Sequence, residues 1–172
     1  MWNPTLIALL CLTIAFTNQA QAAKATSSYS GEYGGGGGKR FSFSGNQIYG
    51  PITAMRVRSS SFYITGLQVR FGQVWSNTVG GRIGNLEEVF LHPGEHIIQA
   101  YGKYTSHVRQ IVFVTNKGRQ FPFGKSKGTS FNAAPLYPNT ALRFFSGSES
   151  SAIDAIGFHW DVADSGCVHC AK

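Results

Sequence analysis

Asp154 ends a serine-rich run, Ser146-Gly147-Ser148-Glu149-Ser150-Ser151-Ala152-Ile153-Asp154. An apolar strand, Ala141 to Phe145, precedes the run and a second, Ala155 to Trp160, follows it. The stretch therefore reads as a hairpin whose loop spans Ser146 to Asp154. Such a loop can turn several backbone N–H groups toward one point, and the Asp154 carboxylate adds an acceptor beside them. Donors and acceptors held side by side suit a polyhydroxylated ligand, since each hydroxyl does both. The run Gly34-Gly35-Gly36-Gly37-Gly38 offers a facing loop where backbone can approach a ligand with no Cβ in the way. The plainer reading of that run is a flexible linker.

Other chemistries are poorly supported. Lys39 after the glycines does not make a phosphate-binding loop, because Arg40 follows it instead of Ser or Thr and no strand precedes the run. A glycosidase needs two carboxylates, and Glu149, the neighbour of Asp154, is expected to face solvent. His92, His96, His107, His159 and His169 have no visible Ser or Cys nucleophile. No clustered calcium-ligand pattern occurs. Trp75 and Trp160 read as core.

The elements that must position these residues follow from composition. The chain has 172 residues, 42% hydrophobic and only 13% charged, so its surface relies on Ser, Thr, Asn, Gln and Gly. No window sustains a helical period. Short apolar stretches end at Gly- or Pro-marked turns about every eight to twelve residues, which predicts one all-β domain. Strands are expected at Pro51–Arg58, Phe62–Phe71, Val74–Trp75, Leu86–Leu91 and Ile97–Tyr101, with Gly102 to His107 as a loop. Val108–Thr115 and Gln120–Phe123 read as a hairpin about Asn116 to Arg119. A strand–turn–strand pattern recurs loosely around Gly66, Gly118 and Ser148–Ser151.

Charge and termini narrow the setting. Fifteen Lys and Arg against eight Asp and Glu give a net charge of +7, which favours polyanionic partners. Leu6 to Phe16 is apolar but too short to span a bilayer, and Ala20-Gln21-Ala22 supplies a cleavage motif, so residues 1–22 read as a secretory signal peptide. The domain is expected over 23–162, with a tail at 163–172. A secreted basic chain rarely meets nucleic acid, and acidic extracellular glycans take its place. Cys167 and Cys170 in the tail read as a local disulfide or a contact with another chain; the βαβ setting of a redox pair and a full zinc ligand set are both missing.

Seven collinear segments resemble the jacalin-related lectins, and in particular their secreted animal branch. They are Ser30-Gly31-Glu32-Tyr33-Gly34, Gly38-Lys39-Arg40-Phe41, Gly50-Pro51-Ile52-Thr53-Ala54, Leu67-Gln68-Val69-Arg70, Val79-Gly80-Gly81-Arg82, Phe90-Leu91-His92-Pro93-Gly94-Glu95 and Ile153-Asp154-Ala155-Ile156-Gly157. The resemblance implies a β-prism of three antiparallel four-stranded sheets with pseudo-threefold symmetry. It implies a mannose-type hexose between Gly34, Gly35, Gly36, Gly37 and Gly38 on one side and Glu149, Ser150, Ser151, Ala152 and Asp154 on the other. A third recognition loop would contribute Tyr104 and His107. Ser150 stands where the family usually has a second glycine, and Glu149 adds an anion. The branch is associated with sulfated glycosaminoglycans, which implies that Lys39, Arg40, Arg56, Arg58 and Arg82 form a patch for heparan-type chains. It further implies secretory granules of digestive epithelium and then mucus as the setting, with bacterial cell-wall glycans as additional ligands.

Overall fold

The computed structural model describes residues 26–163; the expected signal peptide and the Cys167–Cys170 pair lie outside them. Thirteen strands, numbered in chain order, form three antiparallel sheets. The first sheet is built from both ends of the domain: β1 (Ser28–Gly34), β13 (Ile153–Val162), β12 (Thr140–Glu149) and β2 (Lys39–Ser42) lie in that order. In the second sheet β4 (Ile64–Phe71) pairs with β3 (Ile52–Ser59), and β3 with β7 (Asn85–Phe90). The other edge of β4 carries two short pieces, β5 (Val74–Trp75) and β6 (Val79–Gly80), which together act as a fourth strand. The third sheet runs β10 (Gln120–Gly124), β9 (Val108–Thr115), β8 (Ile97–Tyr104), β11 (Thr129–Ala133). The prism of three antiparallel four-stranded sheets expected from the resemblance is what the chain forms.

Each sheet is organised about a central hairpin, β3–β4, β8–β9 or β12–β13, whose inward side chains meet on the prism axis. Phe113 from the third sheet packs edge-on against Phe145 of the first, and Phe145 edge-on against Phe158. Met55, Ile64, Leu67, Phe71, Ile111, Ile153 and Ile156 complete a core in which none is more than 1% exposed. Burying a side chain of this size is worth roughly 1.5–3 kcal/mol, so the axis is what holds the three sheets together. Trp160 is core as expected, its indole N–H donating to Ser30 Oγ at 3.0 Å. Trp75 is not: it is half-buried on the outer face of the second sheet, where the Arg56 guanidinium lies over its ring. Its strand has only two residues, too short to turn inward.

Two other sequence readings are corrected, and one strand was not foreseen. The small residues Ser146, Gly147 and Ser148 belong to β12 and pair with both β13 and β2, so the hairpin loop shrinks to Ser150-Ser151-Ala152. Gly147 must be glycine, because a Cβ there would overlap the Ala155 carbonyl. Gly102 likewise continues β8 to Tyr104, held there by close approach of the Gln110 carbonyl and the Phe131 ring. Edge strand β11 has only Phe131 and Ala133 facing inward, too weak an alternation to register in the sequence.

At one base of the prism the His92–Glu95 turn carries a buried carboxylate. Burial would raise the Glu95 pKa, but the His92 N–H, the Thr115 hydroxyl and the Arg119 guanidinium all donate to it at 2.7–2.8 Å and hold it below the ordinary carboxylate value.

Candidate functional site

The threefold pattern lies at the opposite ends of the hairpins. Each sheet joins its two outer strands through a Gly-x-x-x-Gly loop: Gly34–Gly38 between β1 and β2, Gly80–Gly84 between β6 and β7, and Gly124–Gly128 between β10 and β11. All six bounding glycines have positive φ. In each corner the loop lies against a hairpin top of equivalent register. The hairpins bulge at Ser148/Glu149, Arg58/Ser59 and Lys103/Tyr104, and the next strand opens with a fully buried Ile153, Ile64 or Val108. The residue that follows, Asp154, Thr65 or Arg109, accepts a backbone hydrogen bond from the second residue of its loop: Gly35, Gly81 or Lys125. One scaffold is therefore used three times, with a carboxylate, a hydroxyl and a guanidinium at the same place.

In the first corner the glycines are a steric requirement. A Cβ at Gly34 would overlap the Asp154 carbonyl, at Gly35 the Ser106 carbonyl, and at Gly38 both Asp154 Oδ2 and the Glu149 carbonyl. Gly36 and Gly37 have open space at their Cβ positions. The loop is thus clamped at both ends and clear at its crest, which excludes a disordered linker. Asp154 is 4% exposed. Its Oδ1 accepts from Ser150 Oγ at 3.0 Å and pairs with His107 Nε2 at 2.9 Å. A carboxylate only accepts, so Nε2 is a protonated nitrogen of that ring, leaving Nδ1 to meet the Ser106 hydroxyl at 3.0 Å. Oδ2, under the glycine loop, is buried and has no hydrogen-bond partner in the protein. An unsatisfied buried acceptor costs about 1–3 kcal/mol, more when charged, and a hydroxyl donor would recover it.

The remaining predicted residues divide. Ser150 and His107 orient Asp154, Ala152 is buried in the turn, and Ser151 is exposed with its carbonyl against Gly81. Glu149 does not face solvent: its carboxylate accepts the Gly80 N–H of the second corner at 3.0 Å. The Tyr104 ring sits against those of Tyr33 and Phe131. Of the basic residues, Arg40 pairs with Glu32 and Arg56 with Glu88, both ion pairs at the surface. Arg58 donates to the Gly84 carbonyl, while Lys39 and Arg82 are exposed. His159 is stacked on Phe144, and burial holds its pKa below the ordinary value. Sequence reasoning missed Tyr63, whose ring meets His107 at 4.6 Å, and the two equivalents of Asp154, Thr65 and Arg109. The Gly-x-x-x-Gly spacing was the signal that could have found the latter.

A three-sheet prism whose glycine loop closes over a single buried carboxylate defines a lectin of the jacalin type, and the chain belongs to that family: the Jacalin-like lectin domain matches residues 30–159. Among individual proteins it is similar to zymogen granule membrane protein 16 of Homo sapiens, 63% identical over 170 residues, which cover 99% of this chain and 100% of that protein. Solved structures of the same shape include a prostate-specific WGA16 glycoprotein lectin (TM-score 0.70, 35% identity, 78% of this chain and 99% of that one). A mannose-binding jacalin-related lectin from Ananas comosus is comparably close in shape (TM-score 0.68, 25% identity, 81% and 100%). These relatives are lectins, not enzymes, and the chain is accordingly a carbohydrate-binding protein. The zymogen granule relatives associate the family branch with secretory granules. Among the described residues no helix is long and apolar enough to cross a membrane.

Proposed function

We propose that the chain is a metal-independent lectin for mannose-type glycans, with the hexose held between the crest of the Gly34–Gly38 loop and the Asp154 turn. The observation that carries this reading is the unpaired, buried Oδ2 of Asp154 beneath a loop whose positions 34, 35 and 38 have no room for a Cβ. Two adjacent sugar hydroxyls donating to one carboxylate are charge-assisted bonds, worth roughly 1.5–3 kcal/mol each. Sugar competes with water for every such bond, so a single mannose binds on the order of millimolar and multivalent display supplies avidity. The likeness to a mannose-binding jacalin-related lectin from Ananas comosus supports the choice of sugar.

The reading extends to a basic surface at Lys39, Arg40, Arg56, Arg58 and Arg82 that attracts sulfated, heparan-type chains. Arg40 and Arg56 must then share their guanidinium groups with Glu32 and Glu88. Secretory-granule lumen and mucus, with bacterial cell-wall glycans among the ligands, fit a secreted protein of this kind. A glycan array of mannosides and heparin fragments, run on wild type and Asp154→Ala at low and high salt, tests both parts. Mannoside signals should vanish in the variant at either salt. Heparin signals should survive the variant and fade with salt. Mannoside signals equal in the two proteins would leave a basic adhesion protein on a lectin scaffold.

A further inference from the structure

The third corner repeats the first with its charge reversed. Gly124 and Gly128 are clamped as Gly34 and Gly38 are: a Cβ at Gly124 would overlap the Arg109 carbonyl, and one at Gly128 the Tyr104 carbonyl. Between them the loop reads Lys125-Ser126-Lys127, all three exposed, with Lys125 N donating to Arg109 O at 2.9 Å. Where Asp154 faces His107, Arg109 faces Tyr63, the corresponding residue of the neighbouring hairpin turn, with its guanidinium carbon 5.2 Å from the ring centroid. Among the described residues the buried side-chain polar atoms with no hydrogen-bond partner are Asp154 Oδ2 and Arg109 Nε. One is an acceptor and the other a donor, at equivalent positions of the prism. No described ion pair involves Arg109, Lys125 or Lys127. A groove of about 630 Å³ runs beside the loop, lined by Ser60, Ser61, Gly124 and Lys125 but also by Glu87, and reaching neither Arg109 nor Lys127.

We propose that this corner is an oxyanion site, in which Arg109, Lys125 and Lys127 receive the sulfate or carboxylate group of an acidic saccharide. Arg presents Nε and one Nη as a planar fork that matches two oxygens of such a group. Because Nε is bonded to nothing in the protein, presenting that fork breaks no internal hydrogen bond. The two lysines add charge from the loop above, as backbone and Asp154 do for hydroxyls in the first corner. The second corner has no comparable capacity: Thr65 donates its hydroxyl to the Ile83 carbonyl of its own loop, and Glu149 occupies the Gly80 N–H. The site shares no ligand-binding residue with the hexose cup or with Lys39 and Arg40, although the Tyr63 ring touches both Arg109 and His107, and it stands whether or not mannose binds.

The test is an NMR titration of the full chain at constant ionic strength with inorganic sulfate, a methyl hexoside sulfate and a methyl uronide. The readouts are the Arg109 Nε–H signal and the amides of residues 125–128. Saturable shifts there are expected with at least one probe, weakened tenfold or more by Arg109→Gln and by the double variant Lys125→Gln, Lys127→Gln. They should be unchanged in Asp154→Asn and in Lys39→Gln, Arg40→Gln. Response to the sulfates alone assigns the site to sulfate esters, and response to the uronide alone to carboxylates. The double lysine variant changes exposed side chains and keeps the test valid should Arg109→Gln fail to fold. Absence of saturable shifts with all three probes, shifts confined to Lys39 and Arg40, or binding that stays within twofold of wild type in the variants overturns the proposal.

Discussion

At the first corner of the prism Asp154 keeps one carboxylate oxygen unpaired beneath a loop of five glycines, whereas at the second Thr65 gives its hydroxyl to Ile83 of its own loop. The backbone around the two residues is the same: positive-φ glycines at both loop ends, a bulge below, a buried isoleucine before. The second corner is internally satisfied and contributes to stability. The first is left short of a donor, a cost the fold carries at the place where a ligand can relieve it. What distinguishes the two corners is thus less the shape of the backbone than one side chain that the protein does not fully satisfy.

The sharpest way to break the comparison is to fill the loop. Gly38→Ala puts a methyl group onto Asp154 Oδ2 and the Glu149 carbonyl at a positive φ, and should lower mannoside binding beyond detection, roughly 100-fold or more. Gly36→Ala, with nothing near its Cβ, should stay within about twofold by the same titration calorimetry.

A change at the prism base should affect stability and leave the corner intact. Glu95→Gln removes a buried carboxylate that three donors satisfy, and thermal unfolding should show a loss of about 2 kcal/mol with mannoside affinity unchanged. Because the folded-state pKa of Glu95 is depressed, its contribution is present above the ordinary carboxylate value, near ~4.3, and is lost as pH falls through the folded pKa. The variant should therefore lose less stability than wild type on acidification from about pH 5 to pH 3. Equal losses would show that Glu95 is not the group responsible.

Smaller effects separate orientation from recognition. His107→Phe keeps a ring against Tyr63 but removes one of the two partners of Asp154 Oδ1, leaving Ser150, and binding should weaken about three- to tenfold. Thr65→Val deletes the bond to Ile83 and should cost about 1 kcal/mol of stability with no change in sugar binding. A loss of mannoside binding in that variant would mean the second corner is not merely structural.

Much of this was legible in the sequence. The strands of the central hairpins, Asp154 and the glycine run were found from apolar runs and residue type, because buried strands and tight loops restrict composition strongly. The internal repeat was seen but centred on the wrong residues. Gly66 lies within β4 and Gly118 in the turn joining β9 to β10, whereas the repeating unit is the Gly-x-x-x-Gly loop, hidden in the first corner by a run of five glycines. The destination of a side chain was the least legible feature. Glu149 is separated from Asp154 only by the hairpin turn and Ile153, yet its carboxylate reaches into the neighbouring corner, where the bulge at Ser148/Glu149 re-aims it.

The most direct measurement is an NMR titration of the full chain with methyl α-mannoside, on wild type and on Asp154→Asn. The account predicts shifts concentrated at residues 34–38 and 150–154 in wild type, saturating in the millimolar range, and their loss in a variant whose remaining spectrum is unchanged. Shifts of the same size and position in Asp154→Asn would contradict it, since the carboxylate would then be one more capped turn rather than the centre of the site.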